Sequence, residues 1–188
     1  VLTARAERVE PQPFKSVMRR RFGARRTTAE ILASATEAPP RAPIILVAVD
    51  LQPGLVELRN SLLDAAASVL ANIPGARLAC INVMATSLIA IDENVDAAGD
   101  NIHVTRLVEL RRWAEPLQLP KGKCTYHLLE SRDIAGAIVD FARSNHVEHV
   151  IVGAPTTAGS LTGTVCGQVM ADSPCTVTAV RATGDTSQ

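Results

Sequence analysis

The chain carries 188 residues, 47% of them hydrophobic and 20% charged, with Lys plus Arg matching Asp plus Glu at 19 each. That describes a soluble globular protein of one ordinary domain with some extra length, and 3% aromatics make its core an aliphatic one. No run of about 18 uncharged apolar residues is present to span a membrane, and nothing near Val1 resembles a signal peptide.

The zero net charge conceals an asymmetry. Residues 1–43 hold nine basic side chains against four acidic ones, and the remainder carries the opposite excess. The stretch "EAPPRAP" at 37–43 is a proline-rich joint that no helix continues through. The expected organisation is a basic extension or linker over 1–43, a domain over 44–181 and a flexible tail over 182–188. Within the extension, "FKSVMRRRFGARR" at 14–26 sets Phe14, Val17, Met18 and Phe22 on one side at helical spacing, among Arg19, Arg20, Arg21, Arg25 and Arg26. A tether or docking segment is the preferred reading. One short segment containing a glycine is a weak basis for nucleic-acid or anionic-lipid binding. Residue 1 is Val rather than Met, so the chain reads as a processed or excised piece of a longer polypeptide.

Beyond residue 43 the hydrophobic period alternates. "IILVAV" at 44–49 is a continuous apolar run, the mark of a strand buried on both faces. Residues 54–72 space their apolar positions as a helix does, up to Pro74-Gly75. "ARLACINV" at 76–83 predicts a second buried strand, and the acidic stretch 84–102, with Gly99-Asp100, a loop. A second helix is expected over 103–119, with Leu107, Leu110, Trp113 and Leu117 on one stripe. A third strand follows at 124–130, then a third helix at 132–145 with Asp133 in its first turn, where the helix dipole favours negative charge. A fourth strand at 149–152, a fourth helix at 163–172 and a fifth strand at 176–181 complete the series. Five strands alternating with four helices predict an α/β fold, a parallel sheet with helices on both faces and right-handed crossovers. Ligands of such sheets bind beyond the carboxyl ends of the strands, where strand order reverses.

Other chemistry is sparse. Cys80, Cys124, Cys166 and Cys175 show no CxxC spacing and sit in apolar contexts, so reduced core thiols and a cytoplasmic location are expected. His146 and His149 straddle a helix-to-strand turn with only Glu148 nearby, and no metal site is expected there. The acidic run 91–100 lacks EF-hand spacing and reads as a solvated loop. His103 and His127 are isolated in amphipathic elements. No GxSxG elbow and no Cys–His pairing supports nucleophilic catalysis, so no catalytic residue is assigned. A flavodoxin-like receiver would need acidic residues clustered at the ends of strands one and three, and Asp50 has only Glu130 to join it.

"IILVAVD" at 44–50, "ARLACINV" at 76–83 and "VEHVIVG" at 147–153, followed by a glycine-containing loop and "GTVCGQVMADSPCTVTAV" at 163–180, resemble the universal stress protein superfamily over about residues 43–181. In the closing segment Gly163-Thr164-Val165 stands where that family has Gly-Ser-Val, and Ser173-Pro174-Cys175 where it has Ala-Pro-Cys. The resemblance implies the three-layer, adenine nucleotide alpha hydrolase-like fold with strand order 3-2-1-4-5. It also implies a nucleotide crevice between Asp50 and Gly153. Its ATP-binding members carry a Gly-x-x-Gly loop that closes backbone amides around phosphates and a following helix start that favours an anion. By that match the candidate nucleotide residues are Asp50, Val83, Gly153, Thr156, Gly163, Thr164 and Val165.

The match is incomplete. Thr156 replaces the second glycine, Leu51-Gln52 replaces the Gly-Ser that usually follows the Asp, and only ten positions run from Gly153 to Gly163, fewer than the family pattern requires. Gly159 does not restore the register, and hydroxyls such as Thr157, Ser160 and Thr162 satisfy turn backbone without any ligand. The expectation is a regulatory domain that works by dimerisation, through a last strand at Thr176 to Arg181, and by partner contact. Its nucleotide loop is expected to be short and weakened; the alternative is a working ATP or AMP sensor. Enzymatic activity would amount at most to slow ATP hydrolysis. Fusions of the family imply an upstream partner domain, such as a protein kinase.

Overall fold

A computed structural model describes residues 41–86, 101–155 and 163–182. Residues from Ala42 onward form one compact unit, and the fold below is that unit's. The basic segment 14–26, the acidic run 91–100, Thr156 and the tail beyond 182 lie outside the described residues.

Five strands form one parallel sheet in the order β3-β2-β1-β4-β5. They are β1 (Ile44–Ala48), β2 (Arg77–Ala85), β3 (Cys124–Ser131), β4 (His149–Gly153) and β5 (Thr176–Val180). The connecting helices are α1 (Val56–Asn72), α2 (Ile102–Ala114), α3 (Ile134–Ser144) and α4 (Val165–Asp172). Parallel strands need crossovers, and the crossovers place helices on the faces. Leu46, Ile81, Val150 and Val152 pack on one face with Ile138, Val139 and Ala142 of α3 and Cys166 and Val169 of α4. Ile45, Val47, Cys80 and Ile151 pack on the other with Leu62 and Ala66 of α1 and Leu110 and Ala114 of α2. Successive residues of β1 therefore supply alternate cores, so the run "IILVA" has no polar position.

Side chains set the helix starts. Asn101 caps α2, accepting from His103 N at 3.0 Å and Val104 N at 3.3 Å. Asp133 is the cap of α3 rather than a first-turn residue: it accepts from Gly136 N at 2.9 Å, and a Cβ on Gly136 would overlap its carboxylate. Thr164 caps α4, accepting from Gly167 N at 3.1 Å.

Two expectations for the second helix fail. It ends at Ala114, and Glu115–Leu117 form a 3-10 turn closed by Gln118 at φ 47°. Pro116 is responsible, since it has no N–H to give and its ring crowds the carbonyl four residues back. Leu107 is 37% exposed, with Val104 and Val108 more so, while Leu110 and Ala114 carry the burial.

His127 and His149 lie on β3 and β4. His127 packs against Phe141 with ring centroids 4.9 Å apart and meets Thr125 Oγ1 at 3.0 Å. His149 meets Thr178 Oγ1 at 2.8 Å. Burial lowers both pKa values. An unfolded histidine titrates near about 6.5, so the unfolded chain binds more protons as the pH falls through that value. Their contribution is fully present above about pH 6.5 and is lost toward the lower folded values. Urea midpoints are expected to fall between about pH 6.5 and 5, with a shallower fall in His127→Gln/His149→Gln. An unchanged slope in the double variant would assign the loss to other groups.

Candidate functional site

β1 lies between β2 and β4, so the chain leaves its carboxyl end toward opposite sides of the sheet. A crevice of about 190 Å³ opens there. Its aliphatic walls include Leu58 and Leu62 of α1, Val83 of β2, Ile134 and Ile138 of α3, and Val165 of α4. Asp50, Gln52 and Asn82 are its polar side chains among the described residues. Such walls accept a flat apolar body and offer it few, fixed polar contacts.

Four of the sequence-predicted residues, Asp50, Val83, Gly153 and Val165, line this one crevice. Asp50 is exposed, and its Oδ1 accepts from Gln52 N at 3.0 Å, closing a short turn after β1. Gly153 ends β4, where a Cβ would come within 2.9 Å of Leu58 Cδ2. The bare backbone thus makes room for a wall of the crevice. Gly163 has φ +78° with open space around it, so its demand is conformational. Gly163 and Thr164 stand just before α4, beside the lining residue Val165. Thr156 is outside the described residues.

The structure adds residues that pattern reading passed over. Asn82, 5% exposed, donates from Nδ2 to the Val49 carbonyl at 2.8 Å. Val49 N donates to Ile81 O at 2.8 Å, so the lip of β1 is tied to β2 in both directions. Arg59 of α1 donates to the carbonyls of Gln52 at 2.8 Å and Asp50 at 3.5 Å. Arg106 of α2 donates to the Leu51 carbonyl at 3.0 Å, and Trp113 Nε1 to the Arg59 carbonyl at 2.9 Å. Three consecutive carbonyls after β1 are thereby held by two guanidinium groups. A lone amide inside "ACINV" was a visible signal for Asn82. The arginines gave none, because a helix arginine reads by default as a solvated side chain.

A second polar contact lies at the carboxyl end of β3, where His103 of α2 meets Glu130. Among the described residues no group of three or more His, Cys, Asp or Glu side chains converges as a metal site would. No helix of those residues is long and apolar enough to cross a membrane.

The family model described as "Universal stress protein family" matches residues 43–181. No curated protein matches the chain by sequence. Among solved structures, a universal stress protein from Archaeoglobus fulgidus shares 20% identity, covering 73% of this chain and 93% of its own, with a TM-score of 0.53. A universal stress protein in complex with cAMP shares 17%, covering 74% and 97%, with a TM-score of 0.53. An Arabidopsis thaliana protein of the family with AMP bound shares 11%, covering 78% and 95%, with a TM-score of 0.51. At these identities the likeness is one of fold.

Asn82→Leu keeps the branched shape of the side chain, with larger methyl ends, and strips the Val49 carbonyl of its donor. It is expected to lower unfolding free energy by about 1–3 kcal/mol in urea. A loss below about 0.5 kcal/mol, the level of a neutral surface change, would mean that this bond does not hold the lip.

Proposed function

This chain belongs to the universal stress protein family, and on that premise we propose that it is a regulatory domain whose crevice takes the adenine end of a small nucleotide, AMP in preference to ATP. The observation that carries this reading is the crevice at the strand-order reversal, with Asp50, Val83, Gly153 and Val165 around one space. Its volume of about 190 Å³ is below the range of about 300–1,000 Å³ typical of pockets that enclose a whole ligand. A purine fits within it while sugar and phosphate emerge at the lip.

The roles follow from the chemistry of the residues. One oxygen of Asp50 is engaged by Gln52 N, and the other is offered to ribose hydroxyls. Val83 and the leucines of α1 pack on the base. Gly153, Gly163, Thr164 and Val165 border the path of the phosphate. Thr156 adds a side chain where the family pattern has glycine, and the ten-position span leaves little backbone to wrap a triphosphate. The related structures with cAMP and AMP support a mononucleotide. No catalytic group is part of this reading.

Isothermal titration of the full chain tests it. AMP is expected to bind at least about tenfold more tightly than ATP with Mg²⁺, and Asp50→Ala to weaken AMP by about tenfold, or ~1.4 kcal/mol. Absence of heat with millimolar AMP in a folded sample would remove the proposal, and tighter ATP binding would favour the ATP sensor instead.

A second observation favours pairing as the means of regulation. Among the described residues β5 bonds only to β4 within the sheet, and a strand edge of that kind is a template for another strand. A second copy meeting it along Thr176 to Arg181 would cover both edges at once. Light scattering at micromolar concentration is expected to give twice the mass of one chain. A concentration-independent monomer would exclude that mode of pairing.

A further inference from the structure

Cys80 of β2 and Cys124 of β3 place their sulfurs 3.8 Å apart on the face of the sheet covered by α1 and α2. Register explains the meeting: Leu78 pairs with Cys124 and Cys80 with Tyr126, so the two cysteines share a face on neighbouring strands. Their surroundings differ. Cys80 is fully buried, whereas Cys124 is half-buried on a strand that, among the described residues, pairs on one side only. Cys166 and Cys175 have no such partner: their side-chain neighbours are Met170 Sδ at 4.0 Å and Ser173 Oγ at 3.5 Å.

We propose that Cys80 and Cys124 are a peroxide-oxidised thiol pair that closes to an intrachain disulfide, with Cys124 the attacking sulfur and Cys80 the resolving one. The hydrogen bond with Cys80 stabilises a thiolate on Cys124, burial opposes this, and the Tyr126 hydroxyl adds to the stabilisation; the result is a thiol held below its ordinary pKa. Cys80 is pushed the other way by the same hydrogen bond and by burial. A thiolate is the nucleophile in such chemistry.

The steps balance. The Cys124 thiolate attacks one oxygen of hydrogen peroxide, the O–O bond breaks, and the departing hydroxide takes a proton to leave as water. Sulfur is oxidised by two electrons to the sulfenic acid. The Cys80 sulfur then attacks Cys124, the S–O bond breaks, and hydroxide leaves as water with the Cys80 proton. One peroxide and two thiols yield one disulfide and two waters.

Closing the bond requires the sulfurs to approach to about 2.05 Å. It also requires the start of β3 to shift toward Cys80, because the two cysteines sit two register positions apart. Cys124 is the first residue of edge strand β3, and a turn at Pro120–Lys123 with Gly122 at φ +85° precedes it. The disulfide would tie that strand end to β2 two residues before Asn82.

The test treats the full chain with hydrogen peroxide, blocks free thiols with N-ethylmaleimide under denaturing conditions, and maps tryptic peptides without reduction. The expected product links peptide 78–106 to peptide 124–132 and is lost on reduction with dithiothreitol. In Cys80→Ser, dimedone is expected to label Cys124, and before oxidation Cys124 should alkylate about tenfold faster than Cys175 in the unaltered chain. Absence of the linkage in the unaltered protein, oxidation that stops at a Cys124 sulfinic acid, or oxidation of Cys175 as fast as Cys124 would each overturn the proposal.

Discussion

The central constraint is that β1 has no free side. Both of its edges are hydrogen-bonded, to β2 and β4, and both of its faces are buried. A strand in that position must be short, aliphatic and parallel to its neighbours, and helices must cover it above and below. Its neighbours lead to opposite flanks of the sheet, which parts the described chain at its carboxyl end. The crevice is what remains there. The pairing that gives the domain its core therefore also gives it a concave site.

That site depends on polar contacts around one turn. The carbonyls of Val49, Asp50, Leu51 and Gln52 each accept from a side chain, namely Asn82, Arg59, Arg106 and Arg59 again. Hydrogen bonds to charged donors contribute more than neutral ones, and here they come from helices on one face of the sheet. Trp113 links those helices by bonding the Arg59 backbone. Asp50 is consequently presented on a turn fixed from below, although its own carboxylate is exposed. Gly153 completes the arrangement across the crevice by letting Leu58 approach the end of β4. The thiol pair is remote from this turn in function but shares its origin, since it too arises from strand register on β2.

Most of the fold was legible. The strand runs, the helix stripes and the breaker at Pro74-Gly75 gave the elements in order, and the resemblance to the stress-protein family supplied the strand order that periodicity alone cannot. The errors were local. Pro116 ended α2 early, and Leu107, on the helical stripe with Leu110, is 37% exposed. Asp133 moved from the first turn to the cap because its side chain reaches Gly136 N. The site was half legible. Asp50, Val83, Gly153 and Val165 could be aligned to a motif, whereas Asn82, Arg59 and Arg106 act through carbonyls contributed by residues distant in the chain.

By itself the sequence determined the class of structure: an aliphatic parallel sheet with helices on both faces, because period and side-chain type report directly on which faces are buried. It also carried the family's signature at the two ends of the domain. Only the tertiary structure decided which helix residues hold the loop after β1, how much space the crevice encloses, and that two cysteines forty-four residues apart lie 3.8 Å from one another. Those outcomes depend on register and on the spacing of packed layers. Such quantities are set by many contacts at once and leave no mark on any single stretch of chain.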